Sequence, residues 1–103
     1  MTQTLRIATM ALVALAGVTH AQDANLGRNL AAGCAACHGT NGQVRGDSVA
    51  PLAGVPADKI VTAFSAYKSG ALPATIMHQI AKGYTDEQVQ SIDAFFAAQP
   101  ARK

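Results

Sequence analysis

The sequence predicts an all-α domain built from about four short helices. Three observations lead there: apolar residues recur at three- and four-residue spacing, glycines and prolines stand where those runs stop, and no stretch alternates as a strand would. A first helix is expected over 25–32, with Leu26 and Leu30 at i,i+4 and Gly33 as a natural stop. Residues 39–54 read as an extended loop, carrying Gly39, Gly42, Gly46, Pro51 and Gly54. A second helix over 58–69 puts Ile60, Phe64 and Tyr67 on one face, and Gly70 is placed to end it. A third, shorter helix is expected over 74–82, closed by Gly83. The last helix has the clearest beginning: Thr85 and Gln88 form a capping box, and Asp86 and Glu87 suit the first turn. Val89, Ile92 and Phe96 make its apolar stripe, Phe95 flanks it, and Pro100 forbids its extension. Gly27 has two readings: a point where Phe95 or Phe96 crosses closely, or a weak residue in a frayed terminus.

The N-terminus reads as a secretory leader over 1–21. Arg6 supplies the positive charge, residues 7–18 are almost unbroken apolar, and Thr19-His20-Ala21 offers small residues for cleavage. The apolar run is short for a membrane span, though an uncleaved anchor is the competing reading. Residues 22–103 are then one small domain, expected outside the cytoplasm in the periplasm. Without Arg6 the chain has seven basic and six acidic side chains, dispersed rather than clustered, which argues against nucleic-acid binding. A domain this small buries little of its surface and needs a staple.

Residues 34–38, Cys-Ala-Ala-Cys-His, supply the chemistry. C-x-x-C-H is the attachment sequence for c-type haem: both thiols reach vinyl groups on one edge of the porphyrin, and the following histidine turns to the iron. Cys34 and Cys37 are the chain's two cysteines, so none is left for a structural disulfide. A thioredoxin-like dithiol needs a preceding strand, and a zinc site needs four ligands at another spacing; neither context is present. One covalent haem c is the cofactor expected, and it provides the staple. His38 is the expected proximal ligand, its Nδ1–H oriented by a backbone carbonyl for which Pro51 is the candidate.

The second axial position separates an electron carrier from a ligand-binding site. The candidates are Met77, the sole methionine beyond the leader, and its neighbour His78. On a helix they point about 100° apart, so both cannot face the iron. Met77, among Ala74, Ile76 and Ile80, is the expected ligand, with core filler as its alternative; His78 reads as a surface histidine. His/Met ligation raises the potential and leaves no open iron position, which implies one-electron transfer and no catalytic residues.

The first helix, the Cys-x-x-Cys-His sequence, the loop with Ala50-Pro51-Leu52, the distal methionine and the aromatic C-terminal helix together resemble a class I cytochrome c. That resemblance implies the cytochrome c fold, Cys34 and Cys37 as thioether sites, His38 and Met77 as axial ligands, and Gly27 with Phe95/Phe96 as a helix-crossing contact. The stretches Cys37-His38-Gly39-Thr40, Tyr67-Lys68-Ser69-Gly70, Thr75-Ile76-Met77 and Ile80-Ala81-Lys82-Gly83-Tyr84 are similar to the cytochrome subunit of flavocytochrome c sulfide dehydrogenase. This second likeness implies a non-catalytic subunit that takes electrons from a sulfide-oxidising FAD flavoprotein, as a heterodimer. A free carrier between diffusible partners is the competing reading. Tyr67 and Tyr84 could line the haem or the electron path, or simply pack in the core.

Overall fold

The computed structural model describes residues 23–102; the expected leader and its cleavage point lie outside the described residues. Among the described residues five α-helical segments follow one another: α1 (Ala24–Ala31), α2 (Ala35–His38), α3 (Ala57–Ser69), α4 (Met77–Ala81) and α5 (Asp86–Ala97). No strand occurs among the described residues, in agreement with the all-α expectation. No helix among them is long and apolar enough to cross a membrane.

Asp23 starts α1, its carboxylate accepting from the Asn25 N–H at 2.9 Å, a cap of the usual Asx kind. Gly33 does not stop the helical path. The backbone tightens into a 3-10 turn over Ala32–Cys34 and re-enters α-helix at Ala35, so the chain coils almost without a break into the Cys-x-x-Cys-His sequence. Gly70 does end α3, at φ 78°, and the Thr85–Gln88 capping box opens α5 with both reciprocal bonds formed, at 3.2 and 3.0 Å.

The third helix is shorter than its sequence pattern suggests. It begins at Met77, because Ile76, at φ −140° and ψ −24°, lies outside the helical region, in keeping with two β-branched residues in a row at Thr75 and Ile76.

The core lies where α1 and α3 meet α5, with α4 packed against α3. Ile60 and Phe64 enter it from α3, Ala81 from α4, and Val89, Ile92 and Phe96 from α5. From α1 the fully buried residues are Gly27 and Ala31; of the Leu26/Leu30 pair, Leu30 packs half-buried against the core and Leu26 is 47% exposed. The reason is the closeness of the crossing. A β-carbon at Gly27 would lie 2.6 Å from the Ser91 carbonyl oxygen and 3.4 Å from the Phe95 β-carbon, so only the smallest residues can face α5. Gly27 is therefore a crossing point, with Phe95 as its aromatic neighbour. Phe96 points elsewhere and fills the core beside Gly42.

Candidate functional site

The helical run through Gly33 delivers Cys34, Cys37 and His38 on one continuous coil. Cys34 is half-buried and packs against the core, Cys37 is exposed, and both are free thiols. Burial pushes the Cys34 thiol above its ordinary value. Redox-active dithiols work the other way, with a thiol pushed down. The strand that such a motif follows is likewise absent from the described residues. Nor does any group of three or more His, Cys, Asp or Glu side chains converge among them, as a zinc site would need.

His38 closes α2, and its Nδ1 lies 2.6 Å from the carbonyl oxygen of Ala50. A carbonyl can only accept, so Nδ1 carries the proton and Nε2 is left with its lone pair free to bind a metal. The expected acceptor was the carbonyl of Pro51. The residue before it serves instead, because the loop returns past the histidine one peptide earlier. That loop is pinched at its base: the Gly42 carbonyl accepts from the N–H groups of both Leu52 and Ala53, at 2.9 and 3.1 Å. Gly42 sits at φ 76°, and a β-carbon there would meet Ala53 N at 2.7 Å, Leu52 Cβ at 2.8 Å and Phe96 Cδ1 at 2.9 Å. Glycine is the residue that satisfies both demands.

On the other side, Met77 opens α4, half-buried and packed against the core. His78 is not the surface residue the sequence suggests: it is half-buried, and its Nδ1 is out of contact with water and without a partner. Around Met77 the apolar side chains of Leu72, Ile76 and Ile80 are turned outward, with Ile76 57% exposed. Tyr67 and Tyr84 are half-buried against the core, and Tyr84 meets Phe64 edge-on with centroids 6.0 Å apart. Their contacts match the core-packing reading.

These residues fit a haem. The free nitrogen on an oriented imidazole, two unpaired thiols beside it, a packed thioether and an apolar surface next to that thioether are the groups a covalent porphyrin requires.

No family model matches the sequence. Individual relatives do. Cytochrome c-554(548) of Halomonas halodenitrificans is 33% identical over 82 residues, which cover 77% of this chain and 99% of that protein. The chain is a small class I cytochrome c. The cytochrome is also 39% identical over 71 residues to the cytochrome subunit of sulfide dehydrogenase from Chlorobaculum tepidum, covering 68% of this chain and 63% of that one. A thiosulfate dehydrogenase electron acceptor of Stutzerimonas stutzeri is 36% identical over 67 residues, 62% of this chain and 31% of its own. The cytochrome thus spans under two thirds of the length of both dehydrogenase-associated relatives. Membership of this family makes it a haem protein of electron transfer, and the helices around Cys34–His38 and Met77 are the family's fold.

Proposed function

We propose that this cytochrome is a periplasmic one-electron carrier, not itself an enzyme, that takes its electrons from a sulfide-oxidising FAD flavoprotein. The leader over 1–21 would send it across the inner membrane and be removed there. Cys34 and Cys37 would hold one haem c through thioethers, and His38 Nε2 and the Met77 sulfur would ligate its iron. When bound, that group supplies a ferric/ferrous couple whose potential rises with methionine ligation.

The observation that carries this reading is the His38–Ala50 hydrogen bond. It prepares the imidazole in the one tautomer that can ligate through Nε2, and it does so from the chain's own backbone. Met77 and the apolar Leu72, Ile76 and Ile80 beside it would keep water from the iron, which favours the less charged ferrous state. A sulfide dehydrogenase partner is supported by likeness to the Chlorobaculum tepidum cytochrome subunit, whose name places that protein in such an enzyme, and its FAD flavoprotein nature by the flavocytochrome c resemblance of the sequence stretches given above.

Two measurements test it. Met77→Ala should abolish the weak ferric sulfur-to-iron charge-transfer absorption; an unchanged band removes Met77 as ligand. Purification from the native periplasm should bring flavin and haem absorbance together, with the haem reduced on adding sulfide. A haem protein that elutes alone, and that sulfide plus the flavoprotein leave oxidised, points to the second reading: a free carrier between diffusible partners. The near-complete coverage of cytochrome c-554(548) is what favours that alternative.

A further inference from the structure

The loop that supplies the Ala50 carbonyl is gripped from a part of the chain remote in sequence. Arg102 Nη1 donates to the Val44 carbonyl at 2.6 Å and, at the long limit, to the Gly46 carbonyl at 3.5 Å. Its other terminal nitrogen lies 3.8 Å from the exposed carboxylate of Asp47. The grip is reciprocal: Gln43 Nε2 donates back to the Pro100 carbonyl at 2.9 Å. On the opposite limb of the loop the Gly54 N–H donates to the Phe96 carbonyl at 2.8 Å. Ala101 lies so near Gly54 that a β-carbon there would come within 3.0 Å of its own. Residues 100–102 therefore touch both limbs of the loop, and Ala50 stands between those limbs.

We propose that Arg102 is a positioning residue for the haem ligand. By holding Val44 and Gly46 it restricts the loop that carries Ala50, and so sets how firmly the Ala50 carbonyl holds the His38 Nδ1–H. This rests on His38 being the axial ligand. A firm hydrogen bond at Nδ1 makes the imidazole a stronger electron donor and favours ferric iron. Loosening the clamp weakens that bond, so the reduction potential rises and the Nδ1 proton exchanges faster with water. A charge-assisted bond of this kind corresponds to about a tenfold change in local opening.

The test uses the ferrous holoprotein, in which a ligated His38 gives a ring-current-shifted Nδ1–H resonance. Absence of that resonance in the unmutated protein would defeat the ligand assignment itself, separately from the clamp. Arg102→Ala should accelerate its exchange about tenfold and shift the potential upward, and Arg102→Lys, which keeps the cation, should restore part of both. Thr85→Ala serves as a control, because it loosens α5 at the capping box and leaves the loop untouched. The clamp is overturned if Arg102→Ala leaves exchange and potential unchanged. It is equally overturned if Thr85→Ala moves both as far as Arg102→Ala does, since that would make the effect one of general stability.

Discussion

Around His38 the chain is held by backbone bonds between residues distant in sequence, joined by one arginine side chain. Gly42 bonds Leu52 and Ala53, Gly54 bonds Phe96, and Arg102 reaches the carbonyls of Val44 and Gly46. Around Met77 the main-chain bonds of the turns are short-range: Gln79 and Ile80 to Ile76, Gly83 to Ile80, Tyr84 to Ala81. What ties this side to the rest is side chains. Lys68 donates to the Tyr84 carbonyl at 2.5 Å, Tyr84 leans on Phe64, and Ala81 is fully buried. The contrast suits the two proposed ligands. A histidine needs its ring turned to one angle, which a rigid loop can impose, whereas a flexible thioether tolerates a less constrained support.

The largest change should come from the backbone-built side. Gly42→Ala forces a side chain into a left-handed backbone and against three atoms closer than 3.0 Å, and should cost about 3 kcal/mol in denaturant unfolding of the holoprotein. On the Met77 side, Lys68→Met keeps the apolar stem and removes the ammonium that donates to Tyr84 and pairs with the exposed Asp86 carboxylate at 3.6 Å. The loss should be about 1 kcal/mol, with faster amide exchange confined to the 82–86 turn. If Lys68→Met proved the costlier of the two, the contrast between the halves would be reversed.

The smallest effect has the opposite sign. Asp93 is 2% exposed in α5, one carboxylate oxygen lacks a partner, and burial raises its carboxyl above the ordinary range, the Val61 backbone opposing and Asp58 adding a little. A raised carboxyl means that the folded state holds the proton more tightly than the unfolded one. Stability therefore falls as pH rises from the ordinary carboxylate value through the raised one. Asp93→Asn should be more stable than the parent near neutral pH, by up to about 1 kcal/mol, and the gain should vanish on acidification through that window. A gain that persists at low pH would locate the effect in packing instead. Because Asp93 faces α3 and not the His38 loop, the reduction potential should stay unchanged.

Features that depend on a few neighbouring residues were legible in the chain as written. The Cys-x-x-Cys-His spacing, the Thr85–Gln88 box, the stop at Gly70 and the Ile60–Phe64–Tyr67 face all act within one or two helical turns. The Asp23 cap is equally local, an Asx residue just before a helix. The Leu26/Leu30 spacing located α1 but could not show how near the facing helix stands, because periodicity reports only which residues are apolar.

By itself, then, the sequence determined the paired thiols of Cys34 and Cys37 at haem-attachment spacing, the neighbouring imidazole, the candidate thioether at Met77 and the helices that bear them. Tertiary structure alone decided that Ala50 rather than Pro51 faces His38, that Gly27 lies at the crossing with α5 while Leu26 stays exposed, and that Arg102 reaches across to the loop. The physical reason is range. Capping, helical period and motif spacing are encoded within a few residues, whereas a close backbone approach depends on where every other packed element has come to rest.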